Sequence, residues 1–204
     1  MGFIDIVKRE YYFINNYVTE RKFRKVKQPF VSDLITSEDS RIHWKYLEVA
    51  DKIVLDLGCG LWEVSDLEAA SPVYFKNKGA KKVIGVDLNE KDINVLKKYF
   101  DEHFPADGSE FLVKSITTTN DLTTLITQYQ IESIKCDIEG FEKVMFSIDK
   151  SQIENVKNIS VEYHNRQLLL GLLQTLKKWG FSVINHSNFT YASQTMGVIT
   201  AKRD

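Results

Sequence analysis

Val54-Leu55-Asp56-Leu57-Gly58-Cys59-Gly60 is an apolar run that ends in an acid and two glycines. A buried strand of a parallel sheet reads this way where it stops and turns back against a ligand. About eighty residues on, Ile134-Lys135-Cys136-Asp137-Ile138-Glu139-Gly140-Phe141-Glu142 repeats the pattern, and Val83-Ile84-Gly85-Val86-Asp87 lies between the two. In open sheets wound with helices, ligands bind at the carboxyl ends of the strands. Three such ends, rich in Asp and Gly, predict a nucleoside-type site with acidic residues beside it.

Outward from these runs, strand and helix patterns alternate. Strands are expected over residues 52–57, 82–87, 110–116, 132–138, 158–163, 181–186 and 196–201. Ser71-Pro72 reads as a cap and first helical residue, with Gly79 ending that helix. Further helices are expected over 92–103, from Asn120-Asp121 through Tyr129, over 141–148, and over 166–179 before Gly180. The last two strands have no helix between them and are expected to pair antiparallel at the sheet edge. Residues 3–27 carry Phe3, Ile6, Val7, Phe13, Ile14, Tyr17 and Val18 at helical spacing, and Pro29 stops that pattern. Ile42, Trp44 and Tyr46 are candidate anchors to the core. The expected division is therefore a helical extension over 1–50 and a domain over 51–204. The fold class is α/β: a seven-stranded, mostly parallel sheet with helices on both faces and an antiparallel edge hairpin. Its architecture resembles the Rossmann-like fold of class I S-adenosylmethionine (SAM) methyltransferases.

The bulk composition excludes several classes. The chain has 204 residues, 43% hydrophobic and 27% charged, with a net charge of -1. That length suffices for a sizeable core without disulfides. No global field draws the chain to nucleic acid or to a membrane. Charge is uneven, however: residues 1–28 hold seven Lys/Arg against three Asp/Glu. The two cysteines, Cys59 and Cys136, form no disulfide framework and suit a reducing cytosol. The start of the chain lacks a signal-peptide pattern, and no apolar run nears the length that spans a bilayer. The expected location is cytoplasmic.

Asp56-Leu57-Gly58-Cys59-Gly60 uses glycine for a tight turn and close backbone approach. A dinucleotide loop continues with a third glycine at a helix start; here Leu61-Trp62-Glu63-Val64 follows. Dinucleotide binding is disfavoured, whereas D-x-G-x-G resembles a methyltransferase loop. Asp87 stands thirty-one positions after Asp56, at the tip of the second strand. A carboxylate there can accept hydrogen bonds from both ribose hydroxyls. The bland alternative is a turn or helix cap. Trp62-Glu63-Val64-Ser65-Asp66-Leu67-Glu68 is an insertion relative to many methyltransferases, with Trp62 a lid or, more commonly for a lone Trp, a packing residue.

In the second half, strand alternation sends Lys135, Asp137 and Glu139 to one side. Glu162 and His164 end Val161-Glu162-Tyr163-His164, and Glu142 opens the next helix. Three readings of this cluster stay open. One is a general base for a substrate hydroxyl. Another is a divalent cation site of hard oxygen ligands, with His164 added. The third is a set of rim ion pairs, including Lys135 with Asp137 or Glu162. An N/D-P-P-Y-type turn, common in nitrogen methylation, is missing from this stretch.

Lys135-Cys136-Asp137-Ile138-Glu139-Gly140-Phe141-Glu142 resembles the K-x-D-x-E-G-x-E signature of FkbM-like methyltransferases. Thr119-Asn120-Asp121-Leu122-Thr123-Thr124-Leu125 is similar to that family's T-x-D-x-L helix start, and Val161-Glu162-Tyr163-His164 to its E-x-H strand end. The likeness spans roughly residues 52–165. It implies SAM as cofactor and O-methylation of a small-molecule or glycan hydroxyl. Asp56, Gly58, Gly60, Asp87 and Leu88 would bind SAM, and Asp137, Glu139, Glu162 and His164 would form the catalytic set. Asp87 sits in a Gly-Val-Asp-Leu context where the family often has Glu-Pro. Two alternatives remain. One is an RNA methyltransferase using the basic run Arg21-Lys22-Phe23-Arg24-Lys25-Val26-Lys27, for which a solvated helix face is the commoner explanation. The other is a non-catalytic binding protein of the same fold.

Overall fold

The structure is a computed structural model that describes residues 44–61, 67, 70–138, 142–191 and 194–204. The expected helix over 3–27, Ile42, the basic run and Trp62 lie outside the described residues, as does Glu139. In chain order the elements are β1 (Ile53–Leu57), α1 (Ser71–Asn77), β2 (Lys82–Asp87), α2 (Glu90–His103), β3 (Glu110–Val113), α3 (Thr119–Tyr129), β4 (Ser133–Cys136), β5 (Asn158–Tyr163), α4 (Arg166–Trp179), β6 (Ser182–Tyr191) and β7 (Gln194–Lys202). Two short 3-10 segments, Glu142–Ser147 and Lys150–Ile153, lie between β4 and β5.

The strands form one sheet in the order β3-β2-β1-β4-β5-β7-β6. β1 to β5 are parallel, and β7 runs antiparallel to both β5 and β6. The edge hairpin is thus as expected, with the last strand lying inside the pair. The sequence order inverts on either side of β1 and β4. That reversal opens a crevice at their carboxyl ends, where a ligand can reach the backbone.

Alternating side chains divide the core between two faces. Leu55, Leu57, Ile84 and Ile134 pack with Leu122, Leu125 and Ile126 of α3 and with Leu168, Leu172, Leu176 and Trp179 of α4. On the other face Val54 and Val83 pack with Phe75 of α1, together with Trp44, Leu47 and Val49. Cys59, Val73, Ile93, Leu96, Phe100 and Phe111 form a third cluster beneath the first loop. Each fully buried large apolar side chain contributes about 1.5–3 kcal/mol. Residues 44–49 are therefore part of the sheet's cover, while Tyr46 is 37% exposed.

Helix ends follow their chemistry. Asn89 caps α2 through Lys91 and Asp92 backbone N–H groups. Thr118 and Asp121 form a reciprocal capping box on α3. Asn165 caps α4, and Gly180 ends it with φ 85°. One expectation fails: the cap of α1 is Ala70, with Ser71 the first helical residue and Pro72 the second. The Ser71 hydroxyl is committed elsewhere, to a buried carboxylate. Two other differences have simple causes. β3 stops at Val113 rather than residue 116 because β2, its one partner, ends opposite it at Asp87. The turn after β4 is a 3-10 segment from Glu142 rather than a helix from 141.

Candidate functional site

Beneath the first loop lies a buried ion pair. Asp56 and Lys135 are cross-strand partners on β1 and β4. Lys135 Nζ stands 3.0 Å from Asp56 Oδ1, with side-chain exposures of 3% and 0%. The Ser71 hydroxyl donates to Asp56 Oδ2 at 2.6 Å. Lys135 also donates to the Gly58 carbonyl at 2.5 Å and sits 5.0 Å from the Trp44 ring centroid. Burial raises the Asp56 carboxyl, against the opposing pull of Lys135 and Ser71. For Lys135, burial works to lower the ammonium. The charges of Asp56 and Asp137 outweigh it and hold the group above its ordinary range. The expected partners of Lys135 were Asp137 or Glu162; its contact is Asp56, because register sets the two side by side.

The loop itself is shaped by two glycines. Gly58 has φ 73°, and a Cβ there would fall on the Asp137 carbonyl. The first motif and the second are therefore in backbone contact. A Cβ on Gly60 would come 2.9 Å from Asp87 Oδ2. Asp87 accepts the Gly60 N–H at 2.8 Å on Oδ2 and the Asn89 N–H at 2.8 Å on Oδ1. Each carboxylate oxygen has a second lone pair free in principle for a ligand hydroxyl. Leu88 follows with 68% of its surface exposed. Asp92, at the start of the expected 92–103 helix, has a further role in the loop. It is buried, accepts the Leu61 N–H at 3.1 Å and takes the Asn89 side-chain amide at 2.8 Å. The Asn89-x-x-Asp92 spacing resembles a capping signal and would have drawn attention to it.

The second half of the site stands at the ends of β4 and β5. Asp137, Glu162 and His164 each offer one ligand atom, all within 4.8 Å of one another. His164 Nε2 is 4.0 Å from Asp137 Oδ1. Its Nδ1 is 3.1 Å from Oε1 of Glu142, whose side chain is 2% exposed. Burial pushes the Glu162 carboxyl up to about 8, helped by the charge of Asp137 and a hydrogen bond with it. The Glu142 hydrogen bond raises the His164 imidazole to about 9; burial opposes, and the charges of Glu142, Glu162 and Asp137 assist. The trio brings two carboxyl groups and an imidazole together at one point of the sheet edge.

Both cysteines are free and buried, and burial pushes their thiols well up, which keeps them from reacting as thiolates. His103 binds the Tyr99 carbonyl and stacks on its ring. His186 meets the Tyr163 hydroxyl in the interior at 2.8 Å.

No family model and no curated protein sequence matches the chain. Solved structures do match in fold. A protein in the NADB-Rossmann superfamily from Streptococcus agalactiae is 17% identical, with TM-score 0.56, over 84% of this chain and 70% of that one. A Streptococcus pneumoniae protein described as a tRNA (m1A22) methyltransferase, in complex with S-adenosyl-L-methionine, is 16% identical, with TM-score 0.57, over 82% and 73%. A Pyrococcus horikoshii protein described as an RNA methyltransferase is 12% identical, with TM-score 0.52, over 76% and 74%. The chain shares a Rossmann-like fold with these proteins.

Proposed function

We propose that this chain is a SAM-dependent methyltransferase of the FkbM-like kind, acting on a hydroxyl of a small molecule or glycan. The observation that carries the reading is the Gly60 N–H to Asp87 hydrogen bond at the carboxyl edge, beside an acid and imidazole cluster joined to the same loop through Gly58. Gly58 and Gly60 would leave backbone bare for the cofactor, Asp87 would take the ribose hydroxyls, and exposed Leu88 would face the base. Asp56 serves from below, tying Lys135 and α1 to the loop. The fold neighbours described as methyltransferases support the same reading.

SAM supplies an electrophilic methyl on a positively charged sulfur. Asp137, Glu139, Glu162 and His164 would align the acceptor hydroxyl and take its proton as the carbon–oxygen bond forms and the methyl–sulfur bond breaks, with S-adenosylhomocysteine as the leaving group. Alignment of the two reactants would supply a large share of the rate. Residues 51–204 would make the catalytic domain and 1–50 a helical extension. No helix among the described residues is long and apolar enough to cross a membrane, and a cytoplasmic location remains part of this proposal.

The test is calorimetric titration of the purified chain with SAM and with S-adenosylhomocysteine. Micromolar binding of both is expected. No binding of either would overturn the reading and favour a non-catalytic protein of this fold. An RNA acceptor is the second reading, because two fold neighbours are described as RNA or tRNA methyltransferases. It predicts RNA binding that weakens steeply with salt and disappears with residues 1–28.

A further inference from the structure

We infer that residues 1–43 dock in cis on the sheet face formed by β4, β5, β7 and β6, and so border the acceptor side of the site. Register defines this face. Asn158 lies opposite Ser133, Ser160 opposite Lys135, and Thr200 opposite Ser160. Asn185 and Ser187 continue it onto β6, opposite Thr200 and Val198. It is the face that carries Val54 and Asp56 on β1. Ser133, Asn158, Ser160, Thr200, Asn185 and Ser187 are each no more than 6% exposed. Yet α3 and α4 pack on the opposite face, and α1 and α2 pack on β1, β2 and β3. Among the described residues, the helices thus leave this buried half of the face to another part of the chain.

The path of residues 44–50 points to that part. Ala50 bridges to Ala80, just ahead of β2. The Glu48 carbonyl accepts the Ser133 hydroxyl at 2.7 Å, at the start of β4. Trp44 lies over Lys135 and shares a cluster with Val198 of β7. Followed toward lower numbers, the chain crosses the face from β2 to β7, and residues 1–43 come next. Residues 62–66, 68–69, 139–141 and 192–193 also lie outside the description, but they belong to loops at the carboxyl edge and are too short to lie along the face.

The chemistry of the two surfaces fits. Polar groups on the face pair with one another: the Ser160 and Thr200 hydroxyls at 2.9 Å, and the Asn158 amide with the Ser133 hydroxyl at 3.4 Å. Groups satisfied in this way accept an apolar cover without being orphaned. Their small side chains leave room for large ones opposite, as interior packing density requires. Phe3, Ile6, Phe13, Ile14 and Tyr17 recur at helical spacing and supply that bulk. The Ser187 hydroxyl is buried with no partner among the described residues, and a polar group of the segment would meet it. Glu162 follows Ser160 on the same face, about 7 Å along the strand. The docked segment therefore ends beside the acid and imidazole cluster. That last link rests on the methyltransferase reading; the docking itself does not.

The experiment places the photoreactive p-benzoylphenylalanine at Asn185 in the full chain, with no SAM present, so that its outcome is separate from that of the SAM titration. Cross-links are mapped by mass spectrometry. Links from position 185 to peptides within residues 1–43 of the same chain are expected. Links joining two chains would give the face to a second copy and overturn the proposal, as would a lack of links to residues 1–43. Should the variant fail to fold, hydroxyl-radical footprinting of the unaltered chain decides. Tyr17 should oxidise several-fold more slowly than exposed Tyr46; equal rates would overturn the docking.

Discussion

Asp56 Oδ1 and Lys135 Nζ lie 3.0 Å apart across β1 and β4, in the interior, directly below the loop that carries Gly58 and Gly60. The pair joins three parts of the molecule at one point: α1 through the Ser71 hydroxyl, the loop through the Gly58 carbonyl, and residue 44 through the Trp44 ring. Taking both charges out of water costs several kcal/mol per ion, which only good geometry offsets.

Breaking the pair on one side should therefore be expensive. Lys135→Met leaves the Asp56 carboxylate buried without its counter-charge, and a loss of about 3–5 kcal/mol is expected in urea denaturation. Adding Asp56→Leu should recover most of it, since apolar replacement of both partners is often neutral. A double variant no more stable than Lys135→Met would show that Asp56 contributes through Ser71 instead.

Asp87→Ala should weaken SAM binding strongly, by at least tenfold in calorimetry, through two routes. The ribose partner is lost, and the Gly60 N–H loses the acceptor that shapes the loop. Unchanged affinity would remove Asp87 from the cofactor site.

Gly58→Ala tests the contact between the two motifs. Its φ of 73° disfavours any side chain, and the added Cβ would meet the Asp137 carbonyl. Strain alone would cost on the order of 1 kcal/mol; with the collision, a larger loss of thermal stability and loss of SAM binding are expected. A variant with the parent's melting temperature and affinity would contradict the described loop.

Glu139→Gln and Glu162→Gln should each retain SAM affinity within a few-fold and lose methyl transfer once an acceptor is in hand. Full turnover in either would take that carboxyl out of the chemistry.

His186 gives a pH signature independent of the site. Burial pushes its imidazole down to about 4 from the ordinary 6.5, and Nε2 meets the Tyr163 hydroxyl. A folded-state pKa below the unfolded one means that the unfolded chain binds the proton first as pH falls. Its contribution is fully present above 6.5 and lost progressively between 6.5 and 4, at about 1.4 kcal/mol per pH unit. His186→Phe should flatten that part of the stability profile in urea titrations at pH 7, 6 and 5. An unaltered slope would place the proton uptake elsewhere.

Much of this was legible in residue order alone. Hydrophobic runs of strand length separated by helical periodicity determine an open parallel sheet, since neither pattern can bury its apolar side otherwise. Gly58, Gly60, Asp87, Asp137 and the Glu162–His164 pair were visible because strand ends in such sheets lie along one edge. The α4 helix and its Gly180 stop were read to the residue, because a strong apolar stripe and a left-handed C-terminal glycine are local signals.

Other features depended on register and packing, which residue order does not carry. Which acid meets Lys135 follows from β1 and β4 lying side by side with Asp56 opposite Lys135; alternation alone offered Asp137 and Glu162. Ser71 had the look of a helix cap, yet a buried carboxylate 2.6 Å away is a stronger claimant on its hydroxyl. The support that Asp92 gives to Leu61, and Glu142 to His164, arises from contacts between segments distant in sequence. Those contacts exist only once burial has removed water as a competitor. The sequence by itself determined the sheet and which residues stand along its carboxyl edge. The tertiary structure decided which side chains on that edge support the loop from below and which converge on one another.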